Sequence, residues 1–119
     1  MAKQLREKIM NKFIVTVFLL VLSTAIFADD QLNAAIHEAK AAEMLGQQGK
    51  VTKLIRHANM ALVHSLAASN VAKGTYKTEL DAASNSLKNA INDARLNYVG
   101  PATKSVELAV QQLEAAKKL

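Results

Sequence analysis

The apolar residues of this chain recur three and four positions apart, and this spacing limits the fold more than any other feature. Residues spaced in this way lie along one side of an α-helix, whereas the residues of a half-buried strand alternate. We therefore predict helices over about residues 31–45, 51–69, 76–97 and 101–118. The four apolar stripes are Leu32, Ile36 and Ala39; Leu54, Ile55, Ala58, Ala61, Leu62 and Ser65; Leu80, Ser84, Leu87, Ile91, Ala94 and Tyr98; and Ala102, Val106, Ala109, Leu113 and Ala116.

The segments between the stripes contain residues that end and begin helices. The turn Gly46-Gln-Gln-Gly49 separates the first pair, a segment with Gly74 separates the middle pair, and Pro101 opens the last stripe. Gly46 suits a left-handed C-terminal cap, and Pro101 suits a first helical position, where an N–H would be unpaired in any case. Helices joined by short loops pack most simply as an up-and-down bundle, so we predict an all-α four-helix bundle.

An internal similarity indicates that the bundle is a doubled helical hairpin. An offset of about 48 residues aligns the second stripe with the fourth, because apolar residues match apolar residues at each position. The matched pairs are Ala58 with Val106, Ala61 with Ala109, Leu62 with Val110, Ala67 with Ala115, and Ala68 with Ala116.

The first 28 residues have the composition of a secretory leader. Four basic residues precede an apolar block over residues 13–22, and small residues follow before Asp29. Such an order is typical of a signal peptide, and apolar density fades after about 15 residues, whereas a membrane span needs roughly 20. We predict residues 1–28 as a signal peptide cut after Ala28, with Ile26 third from the cut, and residues 29–119 as a periplasmic or secreted domain. Met10 is an alternative start, and an uncleaved membrane anchor is the competing interpretation.

The charge of the exported part excludes several classes of partner. The chain has 15 basic and 10 acidic residues, and removal of the leader leaves 11 and 9, a net charge of +2. Nucleic-acid binding requires a clustered basic patch, and binding to a membrane surface requires a polybasic one. We therefore expect no nucleic-acid partner, and no membrane association after leader removal. The chain has no cysteine, which excludes disulfides, thiolate metal sites and thiol catalysis.

The sequence contains no catalytic motif that we recognise. It lacks a glycine-rich phosphate loop, a His-Glu-x-x-His zinc motif and a nucleophile elbow. The carboxylates are scattered along helices, and a small bundle provides no deep pocket from which water is excluded. We expect this protein not to be an enzyme.

Histidine and methionine form the only set of residues with a distinct chemistry. His57 and His64 lie seven apart on the second helix, and Met60 falls between them on the same face. Imidazole suits copper, nickel and zinc, and a thioether favours copper(I). Residues seven apart are about 10 Å apart along a helix, too far to share one ion, so a site needs another ligand. His37 on the first helix is predicted to approach His57 and Met60 across the first hairpin; histidines and methionines that merely border the core are the alternative.

Two segments resemble the small metal-binding protein family. Residues 54–69, with His57 and His64, are similar to the second helix of that family, and the Gly46–Gly49 turn and residues 98–104 also match. The resemblance implies an exported, periplasmic four-helix bundle that binds divalent metals, notably copper, through histidines at seven-residue intervals. Only His57 and His64 occupy such positions here. The other equivalent positions hold Glu38, Leu45, Ser105 and Gln112, and His37 lies one residue from its expected place.

Two functions follow from these observations. The first is weak binding or buffering of a divalent transition metal, copper before nickel or zinc, through His57 and His64 with His37 and Met60. The second is a non-catalytic interaction module that docks on a protein partner or on itself through exposed apolar residues such as Val63, Leu66 and Leu108.

Overall fold

A computed structural model describes the backbone of residues 2–119 and the side chains of residues 23–119. It contains four α-helices, namely α1 (Ala2–Gln47), α2 (Val51–Val71), α3 (Gly74–Arg95) and α4 (Val99–Lys117). There is no strand over residues 2–119, and the predicted all-α four-helix bundle is confirmed. The apolar block of the predicted leader, residues 13–22, lies outside the described side chains. In the part that is described, no helix has both the length and the apolar character that a membrane crossing requires.

The helices pack in an up-and-down arrangement. Each helix contacts the next one along the chain, and α4 returns to contact α1. The connections are residues 48–50, 72–73 and 96–98, and such short loops allow only antiparallel neighbours to pack side by side. Tyr98, which we had included in the third stripe, belongs to the last connection and is exposed.

The core is built mostly from alanine. Alanines that are almost fully buried alternate along each helix with a few large residues, and the helices can therefore approach one another closely. The large side chains that are fully buried are Leu32, Leu54, Leu80, Leu87, Val106 and Leu113. Ser65 and Ser84, which the stripes placed among the apolar residues, are buried as well.

The first and third turns have matching backbones, which supports the doubled hairpin. Gly49 and Asn97 both have positive φ, at 71° and 62°, and they are separated by the offset that aligns the two halves of the chain. In each turn an amide reaches back to a carbonyl five residues earlier: Lys50 N–H donates to Leu45 at 2.9 Å, and Tyr98 N–H donates to Asp93 at 2.9 Å. The two hairpins thus close in the same way.

Two residues at helix ends differ from the prediction. Gly46 does not form a left-handed cap, since it lies inside α1 and the positive φ falls on Gly49. A Cβ atom at Gly46 would overlap the hydroxyl of Thr103 and lie 2.8 Å from Cδ1 of Leu54, so the glycine is required by the close approach of α4 and α2. Pro101 is the third residue of α4 and not the first, but it still lies in the turn whose N–H groups lack helical partners.

Candidate metal centre

Four polar residues form a seam where α1 packs against α2. Gln31 and Glu38 lie seven apart on α1, and His57 and His64 lie seven apart on α2. Seven residues complete nearly two helical turns, so each pair lies on one face of its helix. Because the helices are antiparallel, the earlier residue of α1 meets the later residue of α2. We call these four residues the α1–α2 seam.

Glu38 and His57 form the more buried contact of the seam. Nδ1 of His57 lies 2.6 Å from Oε2 of Glu38. The two side chains are only 26% and 15% exposed. An ionised carboxylate can only accept hydrogen bonds, so Nδ1 of His57 is the donor. The contact therefore fixes both the orientation and the tautomer of the imidazole, and it leaves the lone pair of a neutral ring on Nε2.

Gln31 and His64 repeat this contact two turns away. Nδ1 of His64 lies 2.7 Å from Oε1 of Gln31, and both side chains are half-buried. An amide oxygen is an acceptor, so this imidazole also donates from Nδ1 and has its lone pair on Nε2. Among the described residues, no hydrogen bond engages Nε2 of either histidine.

Imidazoles held in this way are suited to ligate a metal. A histidine that binds a metal through one ring nitrogen usually donates its other N–H to a carboxylate, an amide or a water molecule. That partner holds the ring in place and makes the ligating nitrogen more basic. The α1–α2 seam supplies this arrangement twice, with a charged acceptor for His57 and a neutral one for His64.

The other two predicted ligands lie at the edge of the seam or beyond it. Met60 is 41% exposed, three residues after His57 and four before His64, so its thioether lies on the same side of α2 as both imidazoles. His37 is exposed on α1. Glu38, and not His37, makes the contact with His57, because the two residues are about 100° apart around the helix.

The seam does not form a closed metal cage within one chain. Among the residues whose side chains are described, no three histidine or acidic residues converge to hold an ion. A metal at His57 or His64 would therefore need its remaining ligands from Met60, from water or from a second molecule. Such open sites bind more weakly than sites with three or four protein ligands, since fewer donors replace the water molecules of the ion.

The second hairpin has a polar contact between its two helices, but this contact joins a different pair of positions and includes no imidazole. Ser86 donates a hydrogen bond to Oε1 of Gln112 at 2.7 Å, and these residues correspond to Glu38 and His64 of the first hairpin. Ser105 is the counterpart of His57. The chemistry that favours a transition metal is thus confined to the first hairpin over the described residues.

Glu38 and Gln31 are the residues whose role the sequence did not reveal. Glu38 had been noted only as a position where a histidine was expected, and Gln31 had not been considered. Both share the seven-residue spacing of His57 and His64, and that spacing was the available signal. Recognising it as a contact required the register of the two helices.

One comparison with known proteins identifies a relationship. A family model described as small metal-binding protein matches residues 7–116, a span that includes the whole α1–α2 seam. The family is defined by metal binding and not by an enzymatic activity. No curated protein matches the chain.

Proposed function

This chain belongs to the small metal-binding protein family, and from that membership we propose that it binds a transition-metal ion at the α1–α2 seam. The pairing of both imidazoles through Nδ1, with Glu38 and with Gln31, is the observation that carries the proposal. It leaves the Nε2 atoms of both rings in defined positions, where their lone pairs could bind a metal ion. The metal would be a cargo that is bound and released, and no reaction is catalysed.

His57 and His64 are the proposed ligands, with Met60 as a shared neighbour. Residues three and four apart on a helix have neighbouring side chains, so the Met60 thioether could share a metal ion with either imidazole. It could not hold one ion together with both, because the two histidines are about 10 Å apart along the helix. Imidazole with thioether favours copper, and imidazole alone also accepts nickel and zinc. His37, which is exposed and outside the seam, would contribute only from the periphery.

The proposed role is buffering, because the binding should be weak and reversible. One chain brings together no three histidine or acidic ligands over residues 23–119, so each ion retains water molecules and exchanges readily. We also propose that the leader directs the protein to the periplasm or out of the cell. The basic start, the short apolar block and the small residues before Asp29 support this location.

A thermal-unfolding experiment tests metal binding. Copper(II) or nickel(II) should raise the melting temperature of tag-free protein, and at a metal concentration of about 100 times Kd the gain is about 2.7 kcal/mol. The double variant His57→Ala/His64→Ala should abolish this gain. The control is Ser105→Ala/Gln112→Ala, which alters the equivalent positions of α4 and should leave the gain intact. An unchanged melt at tenfold molar excess of metal would rule out the proposal.

An interaction module is the second candidate function. Three apolar side chains that face away from the core, Val63, Leu66 and Leu108, are 64%, 36% and 47% exposed. Exposed apolar residues of this kind serve in protein–protein contacts when they form a patch. Sedimentation analysis and pull-down from envelope extracts test this function, and a strictly monomeric protein that recovers no partner argues against it.

A further inference from the structure

Among the residues whose side chains are described, Ala28 is the first buried residue of α1. Ala28 is only 5% exposed, whereas Ile26 and Phe27, immediately before it, are 61% and 44% exposed. Residues 23–25 are exposed as well. Ala28 stands four residues before Leu32, which is followed by Ala35 and Ala39 at the same three- and four-residue spacing. It therefore lies on the same face of α1 as these core residues.

Ala28 also contacts the other helices at this end of the bundle. Its carbonyl accepts a hydrogen bond from the hydroxyl of Tyr76 at 3.4 Å. Together with Thr24, Ala25 and Leu32 of α1 it lines a cavity of about 760 Å³, which the end of α2, the start of α3 and the end of α4 complete. Burial of the Tyr76 ring raises the pKa of its hydroxyl, which is consistent with a packed environment. A cut after Ala28 would remove Thr24, Ala25 and Ala28 from this wall, whereas a cut after Ala25 would keep Ala28 there.

The sequence around the Ala25–Ile26 bond fits a leader-peptidase cleavage site better than the sequence around the Ala28–Asp29 bond does. Leader peptidases require small residues at the first and third positions before the bond that they hydrolyse. Before the Ala28–Asp29 bond these positions hold Ala28 and Ile26, and Ile26 is large and branched. Before the Ala25–Ile26 bond they hold Ala25 and Ser23, which are both small.

We infer that the leader is removed between Ala25 and Ile26, so that the exported protein begins at Ile26 and keeps Ala28 in its core. This inference rests on the export proposed above. In the reaction, water adds across the peptide bond, which leaves a carboxylate on Ala25 and an amino group on Ile26. A chain that began at Asp29 would place Leu32 among the first four residues of the helix, whose N–H groups have no helical partner. A chain that begins at Ile26 has three more residues before Leu32, which then lies beyond the first four residues of the helix.

N-terminal sequencing of the exported protein tests the inference. The full chain is expressed in a Gram-negative host, the periplasmic fraction is isolated, and the first residues and the intact mass are determined. A product that begins Ile26-Phe27-Ala28 is expected. A product that begins at Asp29 overturns the inference.

A matched pair of substitutions gives an independent outcome. Ala25→Leu places a large residue directly before the inferred bond and should eliminate the product that begins at Ile26. Ala28→Leu places the same residue directly before the alternative bond and should leave that product in place, because cleavage precedes folding of the bundle. If Ala28→Leu blocks processing and Ala25→Leu does not, the inference is wrong.

Fractionation separates failure of this inference from failure of the proposed function. A full-length chain that stays in the cytosol contradicts export, and this inference falls with it. A full-length chain in the membrane fraction contradicts cleavage alone. An exported chain that begins at Asp29 and still gains stability with metal contradicts only the cleavage position.

Discussion

At the scale of single residues, Glu38 gives the α1–α2 seam its character. Its carboxylate lies 2.6 Å from Nδ1 of His57, and the pair is shielded from solvent on most sides. A carboxylate in this position holds the ring and its tautomer, so that the opposite ring nitrogen, the proposed metal ligand, is free to bind. Glu38 holds a position where the family resemblance expects a histidine, and in the proposed site it would support a ligand on α2 rather than supply one.

Replacing Glu38 tests that role. Glu38→Ala should weaken copper binding at His57 by about 10- to 100-fold, because the imidazole loses the partner that fixes its tautomer. Glu38→Gln, which keeps an acceptor oxygen, should weaken copper binding by a smaller factor. Isothermal titration measures both affinities, and Glu43→Ala on the same helix is the control, since Glu43 makes no contact with the seam histidines. Equal affinity for wild type and Glu38→Ala would contradict the role.

Gly46 provides a prediction about packing. Gly46→Ala should destabilise the bundle by about 1–3 kcal/mol, because the added methyl group meets Thr103 and Leu54 in a close-packed interior. Chemical denaturation measures the loss. Gly100→Ala serves as the control, since a methyl group there has no neighbour within 4 Å and α4 should be unaffected or slightly more stable. A loss of the same size in both variants, or no loss in Gly46→Ala, would show that the contact with Thr103 and Leu54 is not the cause.

At the scale of helices, a polar cluster joins α2 to α3 in place of large apolar side chains. The hydroxyls of Ser65 and Ser84 are 2.8 Å apart, and both lie within hydrogen-bond distance of the carbonyl of Leu80. Near the turn, Ser69 donates to Asp81, and Lys77 binds the carbonyl of Ser69 at 3.1 Å. These small residues let the two helices approach closely while every described buried side-chain polar atom keeps a partner.

Single and double serine substitutions test this contact. Ser65→Ala should cost about 1 kcal/mol, since Ser84 loses one partner in a buried site. The double variant Ser65→Ala/Ser84→Ala should cost less than the sum of the two single losses, because both polar groups of the pair are then removed together. Denaturation of the four proteins gives the coupling energy. Strict additivity would mean that the hydroxyls do not interact.

At the scale of the whole molecule, the end of the bundle near Tyr76 links stability to pH. Partial burial of the ring raises the pKa of Tyr76 above the ordinary value of 10.0, and the charge of Asp29 adds to the shift. The folded protein therefore holds the hydroxyl proton more tightly than the unfolded chain does. This contribution to stability is complete below about pH 10 and is lost as the pH rises through the folded pKa.

The variant Tyr76→Phe isolates that contribution. Wild type should lose stability relative to Tyr76→Phe as the pH is raised from neutral to above 10, because only the wild type has the proton to lose at this site. Melting temperatures across this range provide the comparison, and the lysines titrate in both proteins. Curves that stay parallel would show that Tyr76 does not take part.

The sequence predicted the architecture well because a helix is specified by local spacing. For example, Leu80, Leu87 and Ile91 belong to one predicted stripe, and all three are buried in the structure. The candidate site was harder to predict from the sequence. His57 and His64 stand out by chemistry and spacing, but the contact of His57 with Glu38 depends on which residue of α1 lies opposite it. We expected His37 to approach His57 across the hairpin. Glu38, the next residue along α1, lies opposite His57 instead, and His37 is exposed to solvent.

The sequence by itself determined four helices, their order and the small residues between them, since periodicity and turn chemistry act over a few residues. Only the tertiary structure decided the partners of the histidines, the reason for Gly46 and the burial of Ala28. Those features depend on the register and the distance between helices far apart in the chain, and local spacing does not encode either one.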